Sequence, residues 1–168
     1  MLLIPIEIIE TAADFVEHLS DGQRIGMMKE QRKLYPTFSD FVEHVLSKAN
    51  TKEVRIEYEK FYLIVYLSYK FYELDFLNII NKNFKDSFLP VSKAVIGFKE
   101  SGRTVEETHR GYLEYIQQPN LIAFIESKVF EVKNPPELSQ HEDDMIASYI
   151  PLLMIVMIIN DTIKKSFS

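Results

Sequence analysis

The run Met145-Ile-Ala-Ser-Tyr-Ile-Pro-Leu-Leu-Met-Ile-Val-Met-Ile-Ile159 constrains the fold more than any other stretch of this chain. Thirteen of its fifteen residues are apolar, and no charge falls between Tyr149 and Ile159. At helical spacing such a run is apolar on every face. It must be enclosed by other helices or lie in a membrane. A run of 15 residues is shorter than the roughly 20 that a bilayer core needs, and it contains Ser148 and Pro151. Enclosure is therefore the expectation, with a buried C-terminal helix over about 139–165. A tail-anchored, membrane-associated protein is the alternative, with Lys164 and Lys165 as flanking charges.

The rest of the chain reads as helix. Five glycines in 168 residues, and no alternating runs bounded by turn pairs, speak against strands. Residues 52–82 contain neither Gly nor Pro and predict one long helix. Its segment Phe61-Tyr-Leu-Ile-Val-Tyr-Leu67 is apolar nearly all round, so this is a second central helix. Around it, Asp21-Gly22 is read as the end of a first helix. Tyr35-Pro36 is read as the stop of a second, and Ser39 as the N-cap of a third. Pro90 is read as the opening of a short helix that Gly102 closes. Thr104-Val-Glu-Glu107 and Ser139-Gln-His-Glu142 are capping boxes, in which side chains satisfy the free amides of a first turn. Pro119 starts another helix, and Asn134-Pro-Pro136 breaks it. The expected fold class is all-α, an irregular multi-helix bundle around the long helix and the C-terminal helix. Connections are short, so residues 1–168 read as one domain.

Composition narrows the function classes. The net charge of -6 argues against general nucleic-acid binding, which needs a basic surface. Without cysteine there is no disulfide, thiolate nucleophile or thiolate-bound metal. The first ten residues lack the basic n-region of a signal peptide. These features fit a cytoplasmic protein. No phosphate loop, dinucleotide fingerprint, nucleophile elbow or zinc-protease motif occurs, and no cofactor is expected.

Two histidine patterns carry possible chemistry. Asp14-Phe-Val-Glu-His18 recurs as Asp40-Phe-Val-Glu-His44, and Asp and His four residues apart share a helix face. Two such helices could assemble a metal site from Asp14, His18, Asp40 and His44. Yet His18 and His44 lie roughly 110° and 125° from the apolar centres of their helices, on the solvent side. His109 instead lies within about 20° of the stripe formed by Val105, Tyr112 and Ile116. Glu106 precedes it by three residues. Di-iron bundle proteins use that spacing twice, with two further glutamates; here it occurs once. A site built from Glu106 and His109 would face Glu73 on the long helix.

The tyrosines 58, 62, 66, 69 and 72 form a ladder of large amphipathic side chains. Lys29, Arg32 and Lys33 read as a solvated helix face. The leading expectation is a non-enzymatic interaction protein, a homo-oligomer or partner of another protein and most simply a homodimer. The second is a helical-bundle enzyme or ligand binder with an internal carboxylate-histidine site.

Overall fold

The computed structural model describes residues 3–49, 51–72, 76–102, 105–131 and 142–166. Within the helices, the side chains of 76–83, 98–99, 105–106, 108–109, 128–131, 142–151 and 166 are not described. The described residues form eight helices and no strand. They are α1 (Ile6–Glu17), α2 (Asp21–Leu34), α3 (Pro36–Leu46), α4 (Lys52–Phe71), α5 (Phe76–Glu100), α6 (Val105–Ile116), α7 (Pro119–Glu131) and α8 (Glu142–Ser166). The chain is an all-helical bundle with long-range helix contacts.

The apolar tail is enclosed. From Leu152 to Ile163 every residue of α8 is buried except Met154 and Asp161, which are partly buried. Among the described residues, no helix is long and apolar enough to cross a membrane. The second apolar run behaves in the same way. In α4 the residues Phe61 to Tyr69 are buried without interruption. An apolar side chain contributes about 1.5–3 kcal/mol when fully buried, and these two helices supply about half of the buried apolar residues described.

Several boundaries differ from the sequence expectation, each for a local reason. The element expected over 52–82 is two helices, since α4 ends at Phe71 with Tyr72 as its C-cap. The first helix ends earlier than Asp21-Gly22, with His18 as C-cap. Ser20 then starts α2 through a capping box: its hydroxyl accepts from the Gln23 amide, and the Gln23 side chain accepts from the Ser20 amide. Pro36 does not merely stop a helix. It occupies the first turn of α3, where a missing N–H costs nothing. Ser39 is therefore inside α3 and not its cap. Thr104, Ser139 and the break at 134–136 lie outside the described residues.

Pro90 gives the largest correction. It sits inside α5 and opens no helix. A proline has no N–H, so the carbonyl four residues earlier, on Asp86, loses its helical donor. The Lys165 ammonium of α8 donates to the Asp86 oxygen at 2.8 Å. One turn away, the buried Thr162 hydroxyl donates to Ser87 Oγ at 3.0 Å. Together α5 and α8 form the most extensive helix pair in the molecule. Its register is thus marked by a backbone defect that a donor from the neighbouring helix fills.

The same logic holds the corner between α6 and α7. Gln117 leaves α6 in the left-handed region at φ 55°, exposing the final carbonyls of the helix. The buried Asn160 side chain of α8 donates to the Ile116 carbonyl. Gln118 then accepts from the Ile4 amide, and Asn120 donates to the Ile4 carbonyl, each at 3.1 Å. The N-terminal segment is thereby fastened across the corner.

The proline defect yields a test by double-mutant cycle. Lys165→Met removes the donor to Asp86 and should cost about 1 kcal/mol in urea unfolding. In a Pro90→Ala background the new amide supplies that bond, and the same change should cost clearly less. Equal costs in both backgrounds would contradict this account.

Candidate functional site

Where α2, α3 and α4 meet, the surface opens into a cleft of about 320 Å³. Its α2 wall carries Ile25, Met28, Lys29 and Arg32, which recur at helical spacing on one face. Val42 and Ser39 come from α3, and Tyr62 from α4. This placement follows from the proline start of α3. Because Pro36 opens the helix, Ser39 lies within it and the Ser39 amide donates to the Tyr35 carbonyl at 2.9 Å.

Charged side chains wall the cleft, and most are taken up by one another. Arg24 donates from Nε to Glu59 at 2.9 Å and from Nη1 to Asp21 at 2.6 Å. Arg55 donates from Nε to the other oxygen of Glu59 at 3.2 Å, and from Nη2 to Glu43. Glu59 thus bridges two arginines, and the chain of charges runs from α2 through α4 to α3. The Arg24 side chain is only 7% exposed and that of Glu59 13%. Burial opposes the charge of Arg24, but its hydrogen bonds to Asp21 and Glu59 outweigh that and raise its pKa. Arg55 is raised first by its hydrogen bond with Glu43. The Arg24 hydrogen bond holds the Asp21 carboxyl below the usual range.

The floor is polar and incompletely satisfied. Gln31 is 4% exposed. Its Oε1 accepts from the Tyr62 hydroxyl, which fixes the side-chain amide. The Gln31 Nε2 and the Ser39 hydroxyl are buried at the cleft with no hydrogen-bond partner. Such groups are rare in native interiors and call for an explanation.

The histidine patterns fare differently. The His18 ring nitrogen lies 2.7 Å from the Asp14 carbonyl oxygen and 3.6 Å from its carboxylate. The carbonyl contact, followed by the Asp14 charge, raises the His18 pKa. Asp40 pairs with Arg32 at 3.0 Å, and His44 is exposed. The structure does not gather the four: among the described residues no three His, Asp or Glu side chains come within reach of one metal ion. Glu73 lies outside the described residues, as do the side chains of Glu106 and His109 on α6.

The tyrosine ladder lies along the buried side of α4. Tyr62, Tyr66 and Tyr69 are buried, and Tyr58 and Tyr72 half-buried. Burial pushes the Tyr66 phenol up to about 12 and raises those of Tyr62 and Tyr69 further. These hydroxyls stay protonated and act as packing groups with hydrogen-bonding tips.

A second surface feature lies on α5. Leu89 is 62% exposed and Ile96 52%. Lys85, Lys93 and Glu100 are exposed on the same helix. At about 100° per residue these five fall within a stripe roughly 80° wide. The sequence reading missed both this stripe and the cleft. The cleft had a faint signal in Ile25 and Met28 spaced three apart, but nothing local marks Gln31 as buried. Compared with family models, curated proteins and solved structures, the chain shows no match.

The shared carboxylate of Glu59 predicts unequal costs. Glu59→Gln should destabilise by about 2 kcal/mol, less than a full deletion because the new carbonyl still accepts one guanidinium bond. Asp40→Asn, at an exposed pair, should stay within about 0.5 kcal/mol. Urea unfolding of both variants reads the contrast, and similar costs would contradict the bridging role.

Proposed function

We propose that this chain is a non-enzymatic interaction protein that acts as a homodimer. The observation that carries the reading is the solvent-facing stripe of α5. Leu89 and Ile96, seven residues apart, occupy one face of the helix. Lys85 and Glu100 stand outside them, four residues beyond each end.

That order is self-complementary under a two-fold axis. Consider two copies of α5 packed antiparallel, with the axis between positions 92 and 93. Leu89 of one copy then meets Ile96 of the other, and Lys85 meets Glu100. The apolar contact and the opposite-charge contact each occur twice, as an isologous interface requires. The stripe from 85 to 100 spans about 22 Å of helix. Lys93 lies at the stripe's edge, where its stem can extend past the seam and leave the ammonium in water. One helix pair buries an area near the lower end for specific interfaces, so association of micromolar strength is expected. The cleft supports the non-enzymatic part of the reading. Its carboxylates are held by arginines, and its tyrosine is kept neutral by burial. Groups so occupied are suited to binding and not to proton transfer.

Sedimentation equilibrium of the intact chain tests this. The wild type should be a dimer that dissociates in the micromolar range. Leu89→Glu with Ile96→Glu should give a monomer of unchanged thermal stability, since both positions are exposed. Lys85→Glu should weaken the dimer several-fold, and adding Glu100→Lys should restore it. A monomeric wild type, or a dimer indifferent to all four changes, would overturn the reading.

A further inference from the structure

We propose that the cleft between α2, α3 and α4 is a binding site for a small aliphatic carboxylate. The argument begins with the groups that folding leaves unused. The Gln31 amide is fixed by the Tyr62 hydroxyl on its oxygen side, so its N–H pair is the side left over. The Ser39 hydroxyl is also buried without a partner. Both are hydrogen-bond donors. An occupant must therefore bring acceptors.

The surrounding charges favour an anion. Glu59 lies between Arg24 and Arg55, Glu43 pairs with Arg55, and Arg32 pairs with Asp40 outside the cleft. Lys29 lines the same cleft, is exposed and forms no ion pair with a described residue. Among the charged side chains that line the cleft itself, Lys29, Arg32 and Arg55 outnumber Glu43 and Glu59 by one, beside the two unused donors. A carboxylate brings acceptors for the two buried donors and a charge opposite to that of the cleft, because one planar group has two oxygens and four acceptor positions.

The remaining wall is apolar. Ile25, Met28 and Val42 line the cleft alongside the polar floor. An aliphatic body of a few carbons can rest on them while its carboxylate reaches Gln31 and Ser39. The volume of about 320 Å³ falls at the small end of ligand sites, which run from roughly 300 to 1,000 Å³. It suits a branched acid of six or so carbons and not a nucleotide or a cofactor.

The test is a titration of the isotope-labelled intact chain with 4-methylpentanoate, followed by amide NMR. The expected result is saturable movement of the Gln31 side-chain amide signals and of backbone amides in 25–32 and 39–43. Lys29→Ala leaves an exposed site and should fold normally. It should weaken binding several-fold. Gln31→Leu should weaken it about tenfold or more, the worth of a hydrogen bond to a charged group. Should Gln31→Leu fail to fold, Lys29→Ala and two analogues carry the test. 4-Methylpentanol, without acceptor charge, should bind far more weakly than the acid, and 4-methylpentanamide should lie between them. The proposal is overturned if the acid moves no Gln31 signal, if its effects never saturate, or if the alcohol binds as well as the acid.

Discussion

A helix with no polar face cannot lie on the surface of a protein in water. The enclosed part of α8 is such a helix, and its burial sets the positions of the elements around it. Against it lies α5 over the longest contact, with α4 and α6 alongside. The apolar stretch of α4 meets the same need, flanked by α1 over its length. Hydrophobic burial of this kind is strong but unspecific: it rewards enclosure and says little about register.

Register comes from polar groups that must find one particular partner. The Asp86 carbonyl, stranded by Pro90, meets Lys165. The last carbonyl of α6 meets Asn160, and the Ile4 backbone meets Gln118 and Asn120. The contacts of Asn160 and Gln118 close backbone groups that would otherwise be buried unpaired, at a cost of about 1–3 kcal/mol each. Sliding α8 along α5 would break several of these together. The aromatic seam of Phe38, Phe41, Phe84 and Phe88 joins α3 to α5, with ring centroids 5.4–5.8 Å apart. That seam fills the space between α3 and α5 by packing alone.

What the sequence disclosed follows from the same division. The enclosure of residues 61–67 and of α8 from Leu152 on is legible, because an all-round apolar run in water must be covered. Asp14 and His18 lie in solvent, where their angular position places them. Pro36 ends α2 and Pro119 starts α7 as the sequence implies, but Pro90 lies inside α5 where a helix opening is expected. Pro36 and Pro90 look alike as local signals, yet one begins a helix and the other sits within one. The difference at Pro90 is a lysine 75 positions further along, which no window of periodicity can include. The capping box of Ser20 and Gln23 was legible but passed over beside the more conspicuous Asp21-Gly22. The cleft was hidden for a tertiary reason. The polar helix α2 resembles a solvated helix until Glu59, 35 residues away, draws Arg24 inward and Tyr62 takes Gln31 with it. Of the carboxylate-histidine set, Glu73 lies outside the described residues, as do the side chains of Glu106 and His109.

The central claim is that α8 belongs to the one cooperative core and is not an apolar tail resting against a bundle that is complete without it. Native-state amide hydrogen exchange tests this most directly. If the claim holds, the amides of 152–160 exchange only through global unfolding. Their exchange free energies then match those of 61–69 in α4 and fall together as denaturant is added. If α8 is an accessory tail, its amides exchange by a smaller opening that is insensitive to denaturant while α4 stays protected, and the account is contradicted.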